Sequence, residues 1–215
     1  METINLVFLI LLLADAIVNV IFYKNNKVQY ITSPMLIPLI LLYYGIGNAN
    51  PNILLIVGAV LGWVGDVCLM PPQDNEKRFM VGLGSFLLGH VIYIVTFIRS
   101  VDNWTAFHPY VFVGFPLYLI FAIWIAQKVK DGASEMLPAI IIYMIVIEVM
   151  SFTALIRAST TGSGFPWFTF IGSMFFIASD TFLAWDRFKS KIKGIRAIAM
   201  STYIVAQFLI VQGFL

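Results

Sequence analysis

Residues 53–70 read ILLIVGAVLGWVGDVCLM, an apolar run that holds a single carboxylate, Asp66, near its end. The run is close to the roughly 20 residues that a helix needs to cross a bilayer. An ionisable side chain inside a membrane span is costly and is usually retained for function. The stretch therefore predicts a transmembrane helix that carries a functional acid.

The composition of the whole chain extends this interpretation. Of its 215 residues, 60% are hydrophobic and 11% are charged, and the mean hydropathy is +0.93. Soluble domains are about 45–50% apolar and about 25% charged. The net charge of +2 gives no sign of a nucleic-acid partner, and the single cysteine, Cys68, excludes an internal disulfide and a multi-cysteine metal site. We predict an integral membrane protein.

The apolar segments predict an all-α bundle of eight transmembrane helices, which form one membrane domain over residues 1–215. Pro34 and Pro38 fall in the first turns of the second helix. The first segment lacks a basic leader and a small-residue cleavage site, so we expect a retained span rather than a signal peptide. The expected bounds are about 4–22, 33–47, 51–70, 80–99, 107–127, 134–156, 165–186 and 194–214.

Positive charges predict the orientation of the bundle. Eleven of the 13 Lys and Arg residues lie in the connections after the first, third, fifth and seventh spans. Only Arg99 and Arg157 lie on the opposite side. Basic connections stay in the cytoplasm. We therefore expect a multi-pass protein of the cell (inner) membrane with both termini outside; the sequence does not fix its oligomeric state.

A weak internal repeat links the third and seventh spans. The sequence VGDVCLM around Asp66 resembles ASDTFLA around Asp180. Tyr93 lies 27 residues after the first acid, and Gln207 lies 27 residues after the second. A parallel four-plus-four duplication and chance similarity between apolar helices both explain this match.

Few ionisable side chains fall inside the predicted spans, and each is a candidate for function. They are Asp15, Asp66, His90, Glu148 and Asp180, with Tyr93, Tyr143, Tyr203 and Gln207 as uncharged companions. The helical rise of about 1.5 Å per residue places several of them at similar depths in the cytoplasmic half. We expect one pocket there, surrounded by Asp66, His90, Asp180 and Tyr203.

These side chains also have structural interpretations. Asp66 can cap a helix end or pair with Arg78. His90 can bond a backbone carbonyl between helices. Asp15 can form a packing pair with Asn19, one helical turn later.

Two carboxyl groups in a medium of low dielectric constant suit acid–base chemistry. Burial and a neighbouring carboxylate both favour the neutral form of such a group, so one can stay protonated while the other is ionised. The chain has no GxSxG or HExxH sequence, and its two histidines, His90 and His108, exclude a three-histidine zinc site. We expect no metal and no cofactor, although an Asp–His–Asp metal site stays open.

Four elements follow one another along nearly the whole chain: GWVGDVCLM, RFMVGLGSFLLGHVIYIVTF, IGSMFFIASDTFLAW and STYIVAQFLIVQG. In order and spacing they resemble the YhhN-type membrane proteins, the lysoplasmalogenase family. The chain departs from the family pattern at Ser33-Pro34, where the pattern has Lys before the proline. If that Lys binds the lipid phosphate, another cation replaces it here or the head-group preference differs.

The resemblance implies hydrolysis of the vinyl ether bond of lysoplasmalogens, which gives a fatty aldehyde and glycerophosphoethanolamine or glycerophosphocholine. The substrate is then a lysophospholipid that enters from the membrane. We expect Asp180 to be the general acid, Asp66 to stabilise the cation, and His90 to assist; the reverse assignment of the two acids stays open. The expected substrate-binding residues are Tyr93, Tyr143, Tyr203, Gln207, Lys77 and Arg78, with the basic 187–196 connection as an alternative phosphate site.

Two other functions fit the same residues. Carboxylates and a histidine inside a membrane also suit a proton-coupled transporter of small molecules. A lipid-binding protein without turnover is the third possibility. Aldehyde release in detergent, where no gradient exists, separates the enzyme from both.

Overall fold

The computed structural model describes residues 2–70, 75–106, 109–161 and 165–215, and the regular structure within these ranges is helical. The prediction of an all-α fold is confirmed. Short 3-10 helices at Trp104–Ala106, Pro109–Gly114 and Ser134–Met136 flank the fifth α-helix. The α-helices are α1 (Glu2–Ile21), α2 (Asn26–Gly47), α3 (Ile53–Leu69), α4 (Glu76–Arg99), α5 (Phe115–Ala133), α6 (Leu137–Thr160), α7 (Pro166–Phe188) and α8 (Ile195–Gln212).

Six apolar segments of the described residues are long and apolar enough to cross a membrane. One of them, Val111–Thr160, contains both α5 and α6, whereas α3 is a shorter apolar helix of 17 residues. The chain is a multi-pass membrane protein. The count of eight spans and the outer location of both termini stay predictions.

Helix α2 is longer than expected. It begins at Asn26 rather than near residue 33, because the side chain of Asn25 caps it by accepting hydrogen bonds from the backbone of Lys27 and Val28. Pro34 and Pro38 therefore lie in the helix interior and not in its first turns. Hydropathy marks only the apolar part of a helix, so the polar turns before it were missed.

Helix α5, in contrast, begins later than its sequence predicts. It begins at Phe115, although its span was expected from residue 107. Residues 107–108 lie outside the described residues, and residues 109–114 form a 3-10 helix. Pro116, in the first turn, is pre-organised for a helix start at this position. The apolar sequence continues through both elements, so hydropathy does not separate them.

The interior prolines of α2 create a link to α3. Pro38 has no N–H group, so it cannot donate to the carbonyl of Pro34 one turn earlier. The indole Nε1 of Trp63 donates to that carbonyl at 2.8 Å instead. Trp63 precedes Asp66 by three residues. The bond therefore ties the turn of α3 that carries the acid to α2.

Helices α3 and α4 pack closely because glycines line their contact. A Cβ atom on Gly58 would lie 2.6 Å from the ring of Tyr93, and one on Gly65 would lie 2.5 Å from the ring of Phe86. Both rings are buried. The absence of side chains at these two positions lets the rings rest directly on the α3 backbone.

The helix bounds support the internal repeat. Tyr93 and Gln207 are 114 residues apart. The same offset relates Asp66 to Asp180 and maps α1–α4 onto α5–α8 to within two helical turns at each end. The hydroxyl of Tyr93 donates to Oε1 of Gln207 at 2.8 Å, so equivalent residues of the two halves contact each other. This correspondence favours duplication over chance similarity.

The glycine contact gives a prediction about stability. We expect Gly58→Ala to lower the free energy of unfolding by about 1–3 kcal/mol, because the new methyl group must displace the buried Tyr93 ring. The measurement is the Tm of the purified protein in detergent. Gly84→Ala in α4 is the matched control, since nothing lies within 4 Å of its Cβ position. Its Tm should stay the same or rise slightly. A wild-type Tm for Gly58→Ala would contradict the close packing.

Candidate active site

Two carboxyl groups from distant parts of the sequence meet at one cavity. Asp66 lies near the end of α3, and Asp180 lies in the second half of α7. Both line a cavity of about 310 Å³, and they are close enough for their charges to interact. The structure thus brings together the two acids on which the sequence argument depends.

Each acid is oriented by a buried tyrosine from another helix. The hydroxyl of Tyr143, in α6, donates a hydrogen bond to Oδ2 of Asp180. Tyr203, in α8, lies against Asp66 on the wall of the polar cavity. Oδ2 of Asp66 has no hydrogen-bond partner among the described residues. An unpaired acceptor of this kind is unfavourable unless a ligand meets it.

A chain of hydrogen bonds fixes the direction of the Tyr203 hydroxyl. Tyr93 donates to Oε1 of Gln207 at 2.8 Å, and Nε2 of Gln207 donates to the oxygen of Tyr203 at 3.2 Å. The Tyr203 oxygen is thus an acceptor for Gln207, and its proton stays available to the neighbouring Asp66 carboxyl group. A Cβ on Gly62 would lie 3.0 Å from the Gln207 amide, so a glycine makes room for this chain. Tyr93 and Gln207 thus act behind the cavity and hold its wall.

His90 lies beside the acids but behind the cavity wall. Its ring is 1% exposed and packs edge-on against Phe176 and Tyr143, with centroids 4.7 and 5.3 Å apart. Neither ring nitrogen has a hydrogen-bond partner among the described residues. The alternative of a bond from His90 to a backbone carbonyl is therefore not observed, and the ring also does not line the cavity that it was expected to surround. His90 supports the Tyr143 ring, and through it the position of Asp180.

The structure does not bring Lys77 and Arg78 to the cavity. Both lie in the first turn of α4, and the side chain of Lys77 is exposed. The guanidinium of Arg78 reaches back to the end of α3, where it donates to the carbonyls of Val67 and Met70 at 3.4 Å each. Carbonyls at a helix end carry partial negative charge and attract a cation. Arg78 therefore caps α3 and does not pair with Asp66.

The cations at the cavity are Lys24, in the turn between α1 and α2, and Arg196, in the first turn of α8. Arg196 belongs to the basic 187–196 connection, which is the predicted alternative phosphate site. The sequence predicts only a cytoplasmic location for Lys24. Gln29 and Ser33 of α2 also line the cavity and were missed as site residues. The repeat offset offers a signal for Gln29, because it is the equivalent of Tyr143.

A second, apolar cavity adjoins the first. It measures about 60 Å³ and lies between α4, α5, α6 and α7. Asp180 lines both cavities, whereas Asp66 lines only the polar one. Three apolar residues also belong to both walls: Leu69, Phe86 and Leu183. Asp180 is therefore placed where polar and apolar space meet.

The side chains around the cavity do not favour an Asp–His–Asp metal site, the alternative that the sequence leaves open. Within the part of the chain that the structure describes, no three His, Cys, Asp or Glu side chains lie together in a group that could hold a metal ion. An Asp–His–Asp site would need His90 at the cavity, and its ring is instead packed between aromatic rings. The two acids are thus arranged as a pair with tyrosine partners.

Comparison with known proteins gives several relatives of modest identity. Lysoplasmalogenase TMEM86B of the pig (Sus scrofa) is 29% identical over 149 residues, which cover 68% of this chain and 57% of the pig protein. Lysoplasmalogenase TMEM86A of human (Homo sapiens) is 29% identical over 179 residues, which cover 80% of this chain and 70% of the human protein.

The mouse (Mus musculus) TMEM86B protein is 26% identical over 175 residues, covering 80% of this chain and 69% of its own length. The chain thus spans little more than half of the pig protein. No solved structure matches this chain. The YhhN family matches residues 28–214. This range contains Asp66 and Asp180, together with Tyr93, Tyr143, Tyr203 and Gln207. The chain therefore belongs to the YhhN family.

Proposed function

We propose that this protein hydrolyses the vinyl ether bond of a lysoplasmalogen, releasing a fatty aldehyde and a glycerophospho-alcohol. The observation that carries the proposal is the pair of carboxyl groups at the polar cavity, one of which, Asp180, also lines the adjoining apolar cavity. Vinyl ether hydrolysis needs an acid, an anion near the cation that forms, and a water molecule. The names of the pig, mouse and human relatives support the same activity.

The two cavities suggest how a single-tailed lipid lies in the protein. The polar cavity suits the head group and glycerol, and the apolar cavity suits the first part of the tail. The vinyl ether, which joins glycerol to tail, then lies at the junction beside Asp180. Its β-carbon points to the apolar side, and its oxygen and α-carbon point to the polar side, where Asp66 lies.

This placement assigns the acid. The slow step transfers a proton from the Asp180 carboxyl group to the β-carbon of the vinyl ether. The carbon–carbon double bond supplies the electron pair, and the positive charge is shared by the α-carbon and the ether oxygen. Ionised Asp66 stabilises this cation across the polar cavity. Tyr143 and Tyr203 keep the two carboxyl groups aligned without contributing charge.

Water then completes the reaction. A water molecule attacks the α-carbon and gives its proton to Asp66, which forms a hemiacetal. The hemiacetal collapses when Asp66 returns that proton to the glycerol oxygen and the hemiacetal hydroxyl gives its proton to Asp180. The products are the aldehyde and the glycerophospho-alcohol, and both carboxyl groups regain their starting states. The cavity of about 310 Å³ leaves room for this water next to the glycerol.

In the membrane, we place the mouth of the polar cavity on the cytoplasmic side, with eight spans and both termini outside. The basic side chains at the mouth, Lys24 and Arg196, support this orientation. The substrate then enters from the inner leaflet. Nothing in the reaction requires a gradient across the membrane.

The test is an assay with purified protein in detergent. We expect aldehyde release from an alkenyl lysophospholipid, detected as a hydrazone, and no reaction with the matching alkyl ether, whose saturated chain has no carbon to protonate. Gradient-dependent uptake into proteoliposomes without aldehyde formation would instead indicate a transporter. Binding of both ethers without turnover would indicate a lipid-binding protein. Either result would overturn the proposed activity.

A further inference from the structure

The mouth of the polar cavity combines cations with a rigid polar wall. Lys24 comes from the turn between α1 and α2, and Arg196 comes from the first turn of α8. Residues of α2, among them Gln29 and Ser33, complete this side of the cavity. Two distant connections of the chain therefore place positive charge at one opening.

Hydrogen bonds to buried groups fix the side chains around this mouth. Nε of Arg196 donates to Oδ2 of Asp186 at 2.9 Å, and Asp186 is only 6% exposed. On the opposite side, Asn19 of α1 donates to Ser33 at 2.9 Å, and Gln29 donates to the carbonyl of Asn19 at 2.7 Å. The last turns of α1 and the first turns of α2 are thus bound together beside Lys24.

The exposed cations lie at a different depth from the acids. Asp66 lies four residues before Met70, which lines the same cavity, and this separation is about 6 Å along a helix axis. Tyr203 lies seven residues above Arg196, or about 10 Å. An anion is repelled by ionised Asp66 inside and attracted by the cations outside. Its stable position is therefore beside Lys24 and Arg196.

We infer that Lys24 and Arg196 form a subsite for the phosphate group of the substrate. The inference rests on the proposed function, and it assigns the head-group contact of that function to two named side chains. Ser33 lines the same cavity, and Lys24 supplies positive charge at its mouth.

Binding of unreactive lipids to Lys24→Ala tests the subsite. The probes are an alkyl-ether lysophosphocholine and the matching alkylglycerol, which lacks the phosphate. We expect Lys24→Ala to weaken binding of the phosphate-bearing lipid about tenfold, as loss of a charged hydrogen bond does, with the Kd of the alkylglycerol unchanged. Lys24→Arg should retain most of the affinity, because it keeps the charge.

The matched control is Lys27→Ala, an exposed lysine two residues into α2 that does not line the cavity. It should bind both lipids as the wild type does. Equal Kd values for Lys24→Ala and wild type, or equal weakening for both probes, would overturn the subsite. Competition by inorganic phosphate at the same concentration as the lipid would overturn its assignment to a lipid head group.

The binding assay needs no turnover, so its outcome is separate from that of the proposed reaction. Binding of the phosphate-bearing lipid through Lys24 without aldehyde release would support the subsite and contradict the proposed activity. Aldehyde release together with unchanged binding in Lys24→Ala would support the activity and contradict the subsite.

Discussion

Asp180→Asn should lower the rate of aldehyde release about a thousandfold, because the amide cannot supply the proton that the β-carbon requires. General acids contribute about 10²–10⁴-fold to such steps. Asparagine matches the size of the acid and can still accept the hydrogen bond from Tyr143. The loss should therefore appear in kcat, with little change in the Kd of an unreactive alkyl-ether lipid. Single-turnover assays in detergent measure the chemical step directly.

The control for this prediction is Asp15→Asn. Asp15 is also a carboxylate within an apolar helix, but it lies in α1 and does not line either cavity. Its variant should keep wild-type activity and show that loss of a membrane-embedded carboxylate is not harmful by itself. Activity within a few-fold of the wild type in a folded Asp180→Asn protein would exclude Asp180 as the acid.

Much of the fold was accessible from the sequence because the membrane simplifies the problem. Apolar segments must satisfy their backbone hydrogen bonds internally, so a long apolar run predicts a helix with few alternatives. The same reasoning singles out Asp66 and Asp180, since charge is rare in such runs. Helix ends were less predictable. The start of α2 depends on a polar cap at Asn25, which hydropathy does not detect.

The partners of the acids were only partly predictable. Tyr143 and Tyr203 stood out as polar groups in apolar helices, and both face an acid. The sequence did not show that His90 turns to Tyr143 and away from the cavity. It also did not show that Arg78 bends back to the end of α3. Side-chain direction at a helix end depends on packing between helices, which no single helix encodes.

The repeat offset relates the two acids that converge at the cavity. The α3–α4 hairpin corresponds to the α7–α8 hairpin at the same offset, and equivalent residues Tyr93 and Gln207 bond where the two hairpins meet. Both acids line the polar cavity. Their partners differ, because Tyr143 donates to Asp180 whereas Tyr203 lies against Asp66. This difference allows two chemically equal groups to take different roles.

Asp66→Asn should slow aldehyde release about a hundredfold, which is the usual cost of removing one group that stabilises charge in a transition state. The neutral amide cannot balance the cation or take the proton of the attacking water. Proton transfer from Asp180 remains possible, so the loss should be smaller than in Asp180→Asn. The measurement is again single-turnover aldehyde release. The control is an unchanged Kd for the alkyl-ether lipid, which shows that the cavity is intact.

The order of the two losses decides the assignment of the acids. Asp180 lines the apolar cavity as well as the polar one, and this geometry favours it as the donor to the tail-side carbon. If Asp66→Asn were the more damaged variant, the acid would be Asp66, and the lipid would lie in the reverse direction. Formate offers a second readout, because a small anion fits the polar cavity. It should restore part of the activity of Asp66→Gly, in which the missing group is an anion, and a failure to do so would argue against that role.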